Sequence, residues 1–269
     1  LLKMLKKSAS YVDQTMERLR PLLVDPRKAR ERAAKQAPRR FITSYPLPEK
    51  LLGLWEYVPF DLVEAGFSER VLADHDIGFD PELERITYPI RDLHGNLAGV
   101  SGKAVGNVEA SGKYVVYERD LQRLGFRDYH FNNRDYCWRW DQVYPLTYNT
   151  GYRGPIYVAE GFKAALWMVQ NGFPHTVALM GTSISVVQLA FLSRVGCPIV
   201  LCLDDDRWGR IGAARIGRLL RPLGVTYLRY PYSDGLQPDN LTPNELREAA
   251  ENTMTPIHWR RRNQNEPRK

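Results

Sequence analysis

Two apolar runs in the second half of the chain each end in carboxylates. Ile156-Tyr-Val-Ala159 leads into Glu160-Gly161, and Ile199-Val-Leu-Cys-Leu203 leads into Asp204-Asp205-Asp206-Arg207-Trp208-Gly209. Short β-rich runs of this kind, separated by stretches with helical period, read as parallel strands of an α/β sheet. The pattern predicts a helix over 161–171 closed by Gly172, a strand over 176–180 and a helix over 186–194 closed by Gly196. A helix over 209–220 and a last strand over 225–230 follow. Four short strands alternating with three helices make a four-stranded, mostly parallel sheet with flanking helices. Ligands of such sheets bind outside the carboxyl ends of the strands. Glu160, Asp204 and Asp206 are therefore expected at one edge, and alternation along an extended segment turns Asp205 away from its neighbours.

The preceding segment, 43–150, has a different rhythm and reads as a smaller α+β unit. A helix or helical hairpin over 61–73 is interrupted by Gly66. A strand over 86–90, a turn at Asp92-Leu-His-Gly95-Asn96, a strand over 97–101 and a third over 113–117 follow. Pro89 argues that the first of these strands is at an edge or bulged. Residues 129–148 interleave Tyr, Trp and Arg, which suits a core between the two units better than base stacking. Residues 1–42 read as a basic helical or linker segment broken by Pro21 and Pro26. Residues 151–241 hold the α/β unit. Residues 242–269 begin with a helix over 242–252, opened by Thr242-Pro243 with Glu245 as its capping partner, and end in a basic tail expected to lack structure beyond Pro256.

The 269 residues are 43% hydrophobic, enough for a real core. No apolar run is long enough to span a membrane, and no signal-peptide pattern is present. The first residue is Leu, which fits a chain cut from a longer one. Cys137, Cys197 and Cys202 show no zinc-ligand spacing, so no zinc is expected in this chain and a reducing, cytoplasmic setting fits. Residues 1–40 carry 12 Lys/Arg against 4 Asp/Glu, and 259–269 carry 5 against 1. The whole is only +7, so the segment between is acidic. Basic ends suit phosphate backbones, although charged tails can also be plain solvated ends.

Carboxylates gathered at a strand edge repel one another unless a hard cation neutralises them. Mg²⁺ takes one or two carboxylates and completes its shell with water and phosphate oxygens. At these residues the chain resembles the TOPRIM fold shared by DnaG-type primases, topoisomerases and some nucleases. Glu160-Gly161 and Asp204-x-Asp206-x-x-Gly209 look like its two signatures. Val177-Ala-Leu-Met-Gly181-Thr-Ser183 narrows the likeness to DnaG-type primases. Upstream, Gly66-Phe-Ser68, Ile77-Gly-Phe79, Tyr88-Pro-Ile90, Asp92-Leu-His-Gly95, Ser101-Gly-Lys103 and Lys113-Tyr114 follow the order of that family's polymerase core. The resemblance covers about residues 46–251.

The resemblance implies a primase catalytic core that makes short RNA primers on a single-stranded DNA template from NTPs, using Mg²⁺ or Mn²⁺, two ions in such sites. Glu160, Asp204 and Asp206 would be catalytic. With Asp239 they would form the metal set, with Asp234 nearby. Lys103, Lys113, Arg91 and Lys163 would contact nucleotide or template. A replicative helicase is a further implied partner. The family's zinc ribbon is absent from this sequence, and there is no room for its helicase-binding domain. Three positions depart from the pattern: Ala65 stands for an arginine, and Ala164 and Gln237 for aspartates. The Glu-Gly-x-Lys-Ala form resembles phage and plasmid TOPRIM proteins. A TOPRIM nuclease or a non-catalytic DNA-binding replication module are the alternatives.

Overall fold

Two four-stranded sheets stand side by side in the computed structural model, which describes residues 46–106, 110–126, 129–231 and 235–264, all within the unit 44–269. The first sheet is antiparallel, in the order β1 (Gly78–Asp80), β2 (Arg85–Arg91), β3 (Leu97–Ala104), β4 (Tyr114–Val116). The β2–β3 turn closes on Asp92, whose Oδ1 accepts from the His94 and Asn96 amides at 2.8 and 3.0 Å. Gly95 supplies the positive φ of 83° that such a turn requires.

Pro89 does not place β2 at an edge. β2 lies between β1 and β3, with a register shift between Ile90 and Arg91, so only the expected bulge is present. β1 stops opposite Thr87, leaving Pro89 with one strand neighbour. Its carbonyl instead accepts from Trp138 Nε1 at 2.8 Å. β1 itself overlaps Ile77-Gly-Phe79, where the sequence pattern predicts no strand. It can close on the 3₁₀ turn Glu49–Trp55 because Gly78 has no side chain. A Cβ there would stand 1.9 Å from the Trp55 carbonyl oxygen.

Helices α1 (Phe60–Glu64) and α2 (Glu69–Ala73) form the expected hairpin around Gly66, and Ser68 caps α2. Next come α3 (Ala110–Lys113), which runs into β4, α4 (Glu118–Arg123) and α5 (Trp140–Thr150). The aromatic segment is core. Tyr129, Trp138, Arg139 and Trp140 are buried, and Arg139 donates to the Pro174 and Thr176 carbonyls and to His75 Nε2.

The second sheet is parallel, in the order β6 (Thr176–Ala178), β5 (Ile156–Ala159), β7 (Ile199–Cys202), β8 (Val225–Tyr227). Its helices are α6 (Phe162–Gln170), α7 (Val186–Val195) and α8 (Arg207–Leu219). A shared core joins the sheets, with Leu62, Phe67, Tyr88 and Ile90 against Phe162, Ala165 and Leu166. Tyr88 and Phe162 stack at 4.7 Å.

Helix α9 (Pro243–Glu251) carries the expected capping box of Thr242 and Glu245. The tail departs from expectation, because Pro256–Gln264 is helix α10. Trp259 anchors it, stacked on Tyr227 at 4.5 Å, and Arg262 reaches Asp205. A single large aromatic with a buried partner outweighs the polar composition that argued for a loose tail. Among the described residues no helix is long and apolar enough to cross a membrane.

Candidate active site

β5 and β7 are neighbours, with Ala159 opposite Cys202, so Glu160 and Asp204 leave adjacent strand ends. Burial, then the Asp206 charge, pushes the Glu160 carboxyl up to about 7; an interaction with the Asp204 backbone opposes this. Asp204 is pushed up to about 8 by burial, then by Glu160, Asp239 and Asp206. Glu160 Oε2 and Asp239 Oδ1 are buried without a hydrogen-bond partner among the described residues. These are the marks of acidic groups held together without enough counter-charge.

The Asp204–Gly209 turn explains its own spelling. Asp206 is the N-cap of α8, and its Oδ1 accepts from the Gly209 amide at 2.7 Å. Gly209 packs directly on the strand end, where a Cβ would stand 2.0 Å from the Asp204 carbonyl oxygen. Asp205 turns the other way, as alternation required. It is buried against Arg210 at 3.3 Å and Arg262 at 3.5 Å. Its backbone pairs with Leu236 and Gly235, which ties the turn to the following loop.

A cleft of about 400 Å³ opens over this edge. Lys103 from β3, Lys113 from α3, and Lys163 from α6 line it together with Glu160, Gly161 and Asp204. Lys113 favours the ionised forms of both Glu160 and Asp204. Burial lowers the Lys103 pKa, and the charges of Lys163 and Lys113 add to that; Asp239 and Asp204 oppose it. Lys163 Nζ pairs with Asp239 Oδ2 at 3.2 Å. The far rim is the loop at Met180-Gly181. Met180 holds a left-handed φ of 59°, and the Gly181 amide donates to the Glu160 carbonyl at 3.1 Å. Strain of this kind persists where the surroundings over-determine it.

The structure thus brings Glu160, Asp204, Asp206, Asp239, Lys103, Lys113 and Lys163 to one place. Arg91 does not join them. Its guanidinium donates to Glu49 at 2.7 and 2.9 Å, to Asp76 at 2.7 Å and to the Gly95 carbonyl at 2.8 Å. Arg70, the next arginine after Ala65, has its Nε 3.7 Å from exposed Asp74. Asp234 lies outside the described residues. Sequence reasoning missed Tyr114, Asn133 and Met180 as cleft walls. None carries a chemical signature of its own, and only their neighbours in the chain hinted at them.

No group of three or more His, Cys, Asp or Glu side chains among the described residues could by itself hold a metal ion. The four expected ligands do not form a closed cage because Asp206 is committed to its cap and Asp239 to Lys163. The orphaned Glu160 oxygen beside Asp204 does fit a cation that takes one or two carboxylates and draws its other oxygens from water and phosphate.

Residues 154–229 match the Toprim domain family. The DNA primase of Escherichia coli (strain K12) is 29% identical over 197 residues, which are 72% of this chain and 31% of that protein. The chain thus spans about a third of the length of the curated relatives it matches. A structure of the DnaG primase catalytic domain bound to ssDNA superposes with a TM-score of 0.61 at 20% identity, covering 81% of this chain and 80% of that one. A DNA primase domain from Pseudomonas aeruginosa does so with a TM-score of 0.61 at 18% identity, covering 77% and 78%. The parallel half is a Toprim domain preceded by an antiparallel subdomain, the architecture of the DnaG catalytic core. The chain is similar to DnaG-type primases.

Proposed function

We propose that this chain is the catalytic core of a primase that builds short RNA primers on single-stranded DNA by divalent-metal-dependent nucleotidyl transfer. One observation carries the reading. Carboxylates from two adjacent parallel strand ends share a cleft with three lysines, two of them from the antiparallel sheet region. An acidic edge facing a basic wall suits a triphosphate, whose phosphates need cations on both sides.

The reaction is attack of a 3′-hydroxyl on the α-phosphorus of an NTP, with pyrophosphate leaving. Mg²⁺ or Mn²⁺, as one ion or a pair, would stabilise the attacking and leaving oxygens. Asp204 and Glu160 are the residues best placed to hold it, with Asp206 beside them. Glu160 also has a free oxygen with which to accept the hydroxyl proton. Lys103 and Lys113 balance charge on the triphosphate from the opposite wall. Gly161 leaves the first turn of α6 open to the cleft, since a Cβ there would have only the Tyr114 hydroxyl within 4.0 Å. Single-stranded DNA as template, and a cytoplasmic replication setting with a helicase partner, follow from the same reading.

The test supplies single-stranded DNA, Mg²⁺ or Mn²⁺ and labelled NTPs. The wild-type chain should place label in short oligomers, and Asp204→Ala should abolish this with an unchanged circular-dichroism spectrum. Full activity in Asp204→Ala would overturn the assignment. Cleavage of the DNA without incorporation would move the chain to the nuclease class.

A further inference from the structure

Helix α8 buries one face and leaves a basic one bare. Its inward side is Gly209, Gly212, Ala213, Ile216 and Gly217. The glycines seat it tightly: a Cβ on Gly212 would lie 2.4 Å from the Thr182 carbonyl oxygen, and one on Gly217 would lie 1.9 Å from the Tyr227 hydroxyl. The helix cannot rotate to hide anything on its outer side. That side holds Arg207, Trp208, Arg215 and Arg218, all exposed, and Trp208 is 65% exposed. The Arg207 guanidinium lies 5.6 Å from the Trp208 ring centre.

We infer that the outer face of α8 is a binding track for single-stranded DNA, with Trp208 stacking a base next to the acidic edge and Arg215 and Arg218 holding phosphates further along. The inference rests on the primase reading and names where its template runs outside the cleft.

Three observations select this occupant. The first is sign. No Asp or Glu occurs between Arg207 and Leu219, and among the described residues none of the outward arginines Arg207, Arg215 and Arg218 has an ion-pair partner, while Arg210 is turned to Asp205. A merely solvated helix face usually mixes signs at i,i+4 spacing, as α9 does with Glu245, Arg247, Glu248 and Glu251. The second is the tryptophan. A flat ring paired with a guanidinium is a platform that every base can stack on, whereas an acidic peptide offers no such ring by its charge alone and a duplex hides its bases. The third is continuity. Asp206, which caps this helix, acts on both Glu160 and Asp204, so the track starts at the reactive edge. Arg215 and Arg218 lie about 10 and 15 Å further along the axis, and Arg218 and Arg260 of α10 both act on the Tyr227 phenol, so the basic strip extends onto the last helix.

The experiment measures binding of a fluorescein-labelled oligo-dT to the full 269-residue chain by anisotropy over a salt series, for wild type, Trp208→Ala, Trp208→Phe and Arg215→Gln/Arg218→Gln. Trp208→Ala should weaken binding about 5- to 100-fold, and Trp208→Phe should recover much of it. The arginine pair should lower the slope of log affinity against log salt by about 1.4, or about 0.7 per phosphate contact. These side chains are exposed, so thermal melting should not move. Wild-type affinity and salt slope in every variant would overturn the track while leaving the cleft reading intact. Failure of the wild type to bind oligo-dT would count against both. Equal loss on duplex and single strand in Trp208→Ala would overturn the stacking role.

Discussion

Gly209→Ala tests whether the acidic turn is positioned by direct contact of α8 with the end of β7. The new methyl would sit 2.0 Å from the Asp204 carbonyl oxygen, 2.9 Å from its carbon and 3.2 Å from its nitrogen. A tolerable carbon–oxygen contact is about 3.3 Å, so the first turn of α8 must retreat by about 1.3 Å. Gly209 also donates the capping bond to Asp206. Overpacking costs about 1–3 kcal/mol and a loosened cap about 1 kcal/mol, while alanine returns up to about 1 kcal/mol of helix propensity. The net loss is about 1–3 kcal/mol, or about 2–10 °C in Tm for a chain of this size. The larger effect is on chemistry, because a shift of about 1 Å between reacting groups can cost about 100-fold. Urea unfolding followed by circular dichroism gives the first number, and primer synthesis per folded molecule gives the second. Gly161→Ala is the control. Its methyl meets only the Tyr114 hydroxyl, at 4.0 Å, and its φ of −125° suits any residue. Stability should stay within about 0.5 kcal/mol while the KM for NTP rises, because the methyl enters the cleft. If Gly209→Ala kept both wild-type stability and wild-type activity, the contact would not be what holds Asp204 and Asp206 in place.

Arg91→Ala should cost about 0.5–1.5 kcal/mol in urea unfolding by removing its bonds to half-exposed Asp76 and the Gly95 carbonyl, yet leave primer synthesis per folded molecule unchanged; a selective rise in the KM for NTP would return Arg91 to the cleft. Arg262→Ala should lower stability by about 1 kcal/mol and reduce activity, since buried Asp205 loses its Arg262 contact; unaltered kinetics would show that α10 does not steady the acidic turn. His75 is held neutral: burial first, then the Arg139 charge, lowers its pKa, with Nδ1 on the Val71 carbonyl and Nε2 accepting from Arg139. The unfolded state therefore binds this proton more readily. The His75 contribution to stability is full above about pH 6.5 and is lost as pH falls toward the depressed folded value, with a slope of at most about 1.4 kcal/mol per pH unit. Thermal melts between pH 7.5 and 5 should show that slope in the wild type and a weaker one in His75→Gln; identical slopes would refute it.

Local pattern carried the Toprim half. Apolar runs of four or five residues, glycines after helices and carboxylates after strands are short-range marks, because burial of one face writes itself into adjacent positions. Glu160, Asp204 and Asp206 were legible for that reason, and so was the Thr242 capping box. Lys103 and Lys113 were legible only through likeness to a family, since a hairpin lysine looks the same wherever it points. Contacts between remote positions had no such mark. That Arg91 is consumed by Glu49 and Asp76, that Asp239 pairs with Lys163, and that Trp259 turns a polar tail into a helix all depend on partners 15 to 76 residues away, with Arg91 and Asp76 the nearest pair and Lys163 and Asp239 the furthest. The sequence by itself determined the strands of the parallel sheet and which of their ends bear acid. Tertiary structure decided which of those acids keep a free oxygen, because that depends on charges and caps brought in from elsewhere.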